Sequence, residues 1–206
     1  MLSLPSLCAK SKLAFKPRIW PLVLSAGISA ANATDLSEVV LANGELAPRW
    51  DAGIGAFDEA LDYGNCMNDG GASCPTVDWG WVSNPEKGSV LRASWASNGQ
   101  HAGVYFQSST PQDFSTYAKG YLEFDIRTVT GATDLVMKVD CVWPCSSGDQ
   151  RLTGRVTSEW QRISVPISRL VSGGLELAYV DTGLVFWPAD RVAVDLEIDN
   201  VTWRTS

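Results

Sequence analysis

Gly120-Tyr-Leu-Glu-Phe-Asp-Ile-Arg-Thr-Val129 decides the fold class. Leu122, Phe124 and Ile126 alternate with Glu123, Asp125 and Arg127. That two-residue period belongs to a strand with one apolar and one polar face. Working outward, the same pattern recurs on both sides. Glu38 to Ala42 is a short β-rich run, and Leu91, Ala93 and Trp95 share a face. Val104 and Phe106 do the same, as do Ile163, Val165 and Ile167. Leu135 to Val139 alternates with Lys138 and Asp140 outward, and Leu175 to Phe186 reads as a further strand. In the last run Val192, Val194, Leu196 and Ile198 oppose Ala193, Asp195, Glu197 and Asp199, which read as a solvated face. Strands apolar on one side only build antiparallel sheets. The spacing predicts a two-sheet sandwich of about eight to ten strands over 36–204. Residues 63–89 read as one long irregular loop, the kind usually kept for function.

Residues 1–33 read as an export signal outside the fold. Lys10, Lys12, Lys16 and Arg18 form a basic region, Ile19 to Ala31 is mostly apolar, and Ala31-Asn32-Ala33 is a small-residue cleavage site. The apolar run is too short to span a bilayer comfortably. The expected protein is therefore secreted or periplasmic, with a single domain over 34–206. Removing four basic residues and no acids takes 16 Lys+Arg to 12 against 23 Asp+Glu, a net charge of −11. Such a surface repels phosphate backbones and anionic lipid, which argues against nucleic acid and against membrane association after cleavage.

Four cysteines follow the leader: Cys66, Cys74, Cys141 and Cys145. An even count in an exported chain reads as two disulfides with three pairings open; the local pairing, Cys66–Cys74 and Cys141–Cys145, is the expected one. Neither spacing matches a common zinc pattern. The chain has one histidine, His101, in a turn-like stretch, which removes Ser-His-Asp and Cys-His readings. No phosphate-binding loop, dinucleotide fingerprint or HExxH motif is present. Paired carboxylates remain open to an enzyme, because glycoside hydrolysis needs only two acids about 5–10 Å apart.

Tryptophan is abundant after residue 33: Trp50, Trp79, Trp81, Trp95, Trp143, Trp160, Trp187 and Trp203. An indole is wide and flat, with an N–H for a polar partner, so it suits stacking on a sugar ring. Trp95, Trp160 and Trp203 lie in strand patterns and read as structural. Trp79, Trp81, Trp143 and Trp187 sit beside Gly, Pro or Asp in loop-like stretches and are the expected ligand-binding residues, with Trp79 and Trp81 foremost. Asp78, Asn84 and Gln107 are polar groups of the right size to take sugar hydroxyls.

Four stretches carry a family resemblance: His101-Ala-Gly-Val-Tyr-Phe-Gln-Ser108 followed by Asp113-Phe114, Gly120 to Arg127, Trp160-Gln-Arg-Ile-Ser-Val-Pro-Ile167, and Leu196-Glu-Ile-Asp-Asn-Val-Thr-Trp203. In order and spacing they resemble the galactose-binding-like C-terminal domain of bacterial family 3 exo-β-glucanases, and more loosely calcium-containing carbohydrate-binding modules. The Cys141-to-Cys145 segment fits that appendage too. The resemblance implies an antiparallel jelly-roll β-sandwich serving polysaccharide degradation. It also implies a structural calcium, with Asp199 at the last-strand ligand position and Asn43 where an acidic first-strand ligand is expected. The enzyme's catalytic domains have no counterpart in these residues, so a partner glycoside hydrolase is expected to be recruited in trans. The leading expectation is noncatalytic binding of a polysaccharide, with β-glucan as the specific form. The alternatives are a small glycoside hydrolase or lyase, and an envelope structural or adhesive protein with a protein partner.

Overall fold

The computed structural model describes residues 36–56, 77–96, 102–131, 133–152, 154, 156–190 and 192–206. The chain divides into Met1–Ala33 and Thr34–Ser206, and all described residues lie in the second unit. Among the described residues twelve strands form: β1 (Ser37–Ala42), β2 (Glu45–Leu46), β3 (Trp50–Ala56), β4 (Val77–Asn84), β5 (Gly88–Trp95), β6 (Ala102–Gln112), β7 (Tyr121–Thr130), β8 (Leu135–Cys141), β9 (Gln150–Arg151), β10 (Gln161–Pro166), β11 (Val180–Pro188) and β12 (Val194–Arg204). The count exceeds the sequence expectation because β2 and β9 are only two residues long and leave no periodic signal. One short helix, α1 (Ile167–Ser172), follows β10. Ile167 thus opens a helix rather than ending a strand; Pro166, with φ −58, stands at the junction.

All the strand pairings are antiparallel, in two sheets. Sheet A runs β10-β7-β12-β1-β2, with β5 also on β12 and β4 on β5. Sheet B runs β3-β6-β11-β8-β9. The core lies between them. Leu122, Phe124 and Ile126 are fully buried, as the alternation predicts, and so are Val104, Phe106, Leu184 and Phe186 from sheet B. Phe106 stacks on Phe186 at 6.3 Å between ring centroids, and Trp95 meets the edge of Phe186 at 6.0 Å. The Trp95 indole N–H donates to the Ala102 carbonyl at 2.8 Å.

Strand β12 carries a register shift between Asp199 and Thr202, at Asn200, whose φ is +54°. Asparagine tolerates this left-handed region better than most side chains. Val194, Leu196 and Ile198 face the core before the shift, and Val201 and Trp203 face it after. Strict alternation would have turned Val201 and Trp203 outward.

The polar face of sheet A is not simply solvated. Asp125 and Glu197, read as exposed strand positions, are buried at 7% and 4% exposure beneath an ion-pair layer. Arg162 and Lys87 pair with Asp125, and Asn200 Nδ2 donates to it at 2.8 Å. Arg127 and Asn84 Nδ2 both reach Glu197 Oε2 at 2.9 Å. Two cations of this layer approach the Trp160 ring, Lys87 at 4.9 Å and Arg127 at 5.0 Å from its centroid. Burial alone would push the Asp125 carboxyl up; hydrogen bonds from Arg162, Asn200 and Lys87 outweigh it and hold the group at about 2, below its ordinary 3.8. A lowered folded-state pKa contributes stability that is complete above the unfolded value and lost as pH falls through the folded one. Asp125 is expected to contribute about 2 kcal/mol above pH ~4, fading toward pH ~2. Urea unfolding across that range should show the loss in the native chain and a flatter profile in Asp125→Asn; identical profiles would contradict it.

Candidate functional site

The outward face of sheet B is built differently from that of sheet A. Register places Gly53, Tyr105, Val185 and Lys138 in one row across β3, β6, β11 and β8. Asp51, Gln107, Thr182 and Asp140 form the next row. On the other side of Tyr105 come Gly55 and Gly103, and then Trp187, Val136 and Arg151 across β11, β8 and β9. Val185 and Trp187 on the middle strand are buried, whereas Asp51 and Gln107 are exposed and Tyr105, Val136, Lys138 and Asp140 are half-buried.

Among the described residues of this face, Tyr105 is the half-exposed aromatic group beside the buried Trp187, and two glycines set its pose. A Cβ on Gly53 would lie 2.5 Å from the Tyr105 hydroxyl and 2.6 Å from Cζ. A Cβ on Gly55 would meet Cδ1 at 3.4 Å. Gly53 is therefore covered by the far end of the ring and Gly55 by its near edge, so the phenol lies along β3 in space that side chains would fill. Burial, and then the nearby Asp51 carboxylate, raise the Tyr105 hydroxyl above its ordinary 10.0. It stays protonated at neutral pH, able both to donate and to accept. Lys138 and Asp140 pair at 2.8 Å. This surface offers a flat aromatic ring bordered by groups suited to hydroxyls.

The four tryptophans singled out from sequence separate. Trp79 is a correction: at 7% exposure it belongs to the core, because β4 pairs with β5 and sets Val77 and Trp79 opposite Trp95 and Ala93. The 63–89 stretch therefore contains a strand hairpin in its second half. Trp81 pairs with Leu91 on the same row but is 43% exposed, since β4 is the outer strand of its branch. Trp187 is not in a loop; it lies within β11 opposite Val136 and is 7% exposed. Trp143 does sit in a loop and is 88% exposed. Of the polar groups, Gln107 joins Tyr105 on the sheet B face. Asn84 is buried against Glu197, and Asp78 lies on sheet A. Alternation in the His101–Ser108 stretch sets Tyr105 opposite in face to Phe106, a signal that attention to tryptophan alone passes over.

Cys141 and Cys145 are bonded. Cys66, Cys74 and His101 lie outside the described residues. Asp199 is 1% exposed; its Oδ1 accepts from the Gly44 N–H at 3.1 Å, and its Oδ2 is buried without a hydrogen-bond partner. Asn43 and Gly44, at φ +52° and +72°, form the two-residue turn between β1 and β2, and Asn43 is exposed. Asn-Gly is the preferred pair for such a turn. Among the described residues, no group of three or more His, Cys, Asp or Glu side chains is placed to hold a metal ion.

The Exop_C family model, described as galactose-binding domain-like, matches residues 82–203. The chain belongs to this family. No curated protein matches the chain. Solved structures share the fold. An exo-1,3/1,4-β-glucanase (ExoP) from a Pseudoalteromonas species superposes with a TM-score of 0.58 at 15% identity, over 82% of this chain and 20% of the glucanase. This Exop_C chain thus spans about a fifth of that enzyme's length. The family 30 carbohydrate-binding module of the cellulosomal cellulase Cel9D-Cel44B of Clostridium thermocellum gives 0.54 at 19% identity, over 83% and 98% of the two chains. The family 11 module from Clostridium thermocellum, in complex with a β-1,3-1,4-mixed-linked tetrasaccharide, gives 0.51 at 16%, over 81% and 94%.

The burial contrast yields a stability test. Trp79→Ala is expected to cost roughly 3–5 kcal/mol in urea unfolding, as for a buried tryptophan. Trp143→Ala should stay within about 0.5 kcal/mol, as for a surface change. Near-equal losses would contradict the assignment of Trp79 to the core.

Proposed function

We propose that this protein is a noncatalytic carbohydrate-binding module whose ligand lies on the outward face of sheet B, across Tyr105. The observation that carries the reading is the phenol lying over Gly53 and Gly55. A ring held in one pose loses little entropy when a sugar stacks on it, and Gln107 and Asp51 stand one row away for hydroxyls. Membership of a galactose-binding domain-like family supports the reading, as does the shared fold with carbohydrate-binding modules. The finer proposal is a β-glucan ligand in polysaccharide degradation, alongside a glycoside hydrolase partner. Its support is the glucanase and the mixed-linkage tetrasaccharide complex among the fold's relatives.

Physical reasons favour binding over hydrolysis. Asp51 and Asp140 share a row on this face but lie three strands apart, about 14 Å at the usual strand spacing. Paired acids of glycosidases stand no more than about 10 Å apart. A general acid also needs a raised pKa, whereas Asp125, in the dense carboxylate layer of sheet A, is held at about 2.

Two further proposals accompany this one. Residues 1–33 act as an export signal, placing the module outside the cytoplasm, secreted or periplasmic; N-terminal sequencing of exported protein should then begin at Thr34. A structural calcium is held by Asp199 with the Asn43-Gly44 turn. The buried, unpartnered Asp199 Oδ2 fits a cation, whose role there is to tie β12 to the β1–β2 turn.

A glycan array probed with the Thr34–Ser206 chain, with reducing-sugar release measured on every hit, tests the main reading: binding without release is expected. Tyr105→Ala should weaken it roughly thirtyfold, the scale of a 2 kcal/mol hot spot. Gly53→Ala should also weaken it by displacing the ring, with little loss of stability. Release that one carboxylate substitution abolishes would establish an enzyme instead. Calcium should raise the melting temperature of the native chain and not of Asp199→Ala; equal responses would remove the metal proposal.

A further inference from the structure

A second exposed aromatic group lies at one end of sheet B. Trp143 is 88% exposed, Tyr179 57% and Val142 47%. The Val142 N–H donates to the Tyr179 carbonyl at 3.1 Å, so the loop after β8 and the segment entering β11 are joined. The loop is held several times over. Cys141 and Cys145 are bonded, the Cys141 N–H donates to the Cys145 carbonyl at 3.1 Å, and Asp140 bridges to Ser146. The backbone that carries this exposed indole is thus fixed before a ligand arrives, which lowers the entropy lost on binding. Val142 to Cys145 includes no charged side chain. The exposed indole and phenol offer ring faces on which a sugar can stack.

Its position relates it to Tyr105. Lys138 shares the Tyr105 row through Val185, and Cys141 lies three residues further along β8, about 10 Å at the usual rise per residue. The row of Asp51, Gln107, Thr182 and Asp140 lies between them. An aromatic station is thus followed along the strands by polar groups and then by a second aromatic station.

We propose that Trp143, with Tyr179, is a distal contact for the same glycan, so that the ligand is an extended stretch of a linear chain, running along β8 and β11, rather than a single sugar. This rests on the carbohydrate-binding reading above and adds ligand length to it.

The test is titration calorimetry with mixed-linkage β-1,3-1,4-glucan oligosaccharides, a disaccharide and a hexasaccharide, on the native chain, Trp143→Ala, Trp143→Tyr and Tyr105→Ala. The native chain should bind the hexasaccharide much more tightly than the disaccharide. Trp143→Ala should lose roughly thirtyfold on the hexasaccharide and under about threefold on the disaccharide, with Trp143→Tyr recovering most of the loss. Its melting temperature should stay within about 2 °C of native. Unchanged hexasaccharide binding in Trp143→Ala, with loss in Tyr105→Ala, overturns the distal contact and leaves the module reading standing. Equal losses on both sugars also overturn it, by placing Trp143 in the primary site. If neither sugar binds the native chain, the β-glucan reading falls and takes this proposal with it.

Discussion

The register shift at Asn200 is the constraint on which the sandwich depends. β12 is the central strand of sheet A: it pairs with β7 along one side, and with β5 and then β1 along the other. A strand of eleven residues in strict alternation would bury one half of its apolar set and expose the rest. The shift spares Val201 and Trp203 that outcome. Trp203, fully buried, then packs against Phe114 at 4.7 Å, and Phe114 against Trp50 at 6.2 Å, which connects β12 with the first residue of β3. Asn200 also donates to Asp125, so the residue that turns the backbone anchors the ion-pair layer outside it.

The two outward faces are opposites in physical character. Sheet A is closed by charge: Asp125, Glu197 and Glu123 each have arginine or lysine partners, and two cations approach the Trp160 ring. A ligand arriving there would have to break paired, partly desolvated ions. Sheet B has glycine at Gly53 and Gly55 in place of side chains, and the space goes to one phenol. Accessible aromatic area is therefore found on sheet B at Tyr105, on the Cys141–Cys145 loop and at Trp81 on the outer strand of sheet A, rather than among the ion pairs.

Much of this was legible in the residues. The Tyr121–Thr130 alternation points to the sheet, and the runs at Leu135, Trp160 and Val192 fall near β8, β10 and β12, whereas the Leu175–Phe186 run begins with a 3-10 turn at Leu177–Tyr179 before β11 starts at Val180. What escaped had physical causes. Val77-Asp-Trp-Gly-Trp-Val82 alternates as well, but Gly80 and the turn residues Asn84 to Gly88 made it look like loop. Only the pairing with β5 shows which face of β4 the core takes. Trp187-Pro188 looked like a strand end, although Pro188 still pairs with Leu135. Trp143, beside Pro144 and two residues from Cys145, lies in a loop as its neighbours predict. Tyr105 needed the glycines of β3, far earlier in the chain, before its pose had meaning, and no local pattern links them.

The central claim is that a glycan stacks on Tyr105 on the sheet B face. Titrating the isotopically labelled protein with the mixed-linkage hexasaccharide, and following backbone amides by NMR, tests it most directly. The account predicts the largest shifts at Asp51 to Gly55, Gly103 to Gln107 and Lys138 to Val142, with Asp125, Glu197 and their ion-pair partners unmoved. Shifts confined to the Asp125–Glu197 face, or to strand β4 at Trp81, would contradict it.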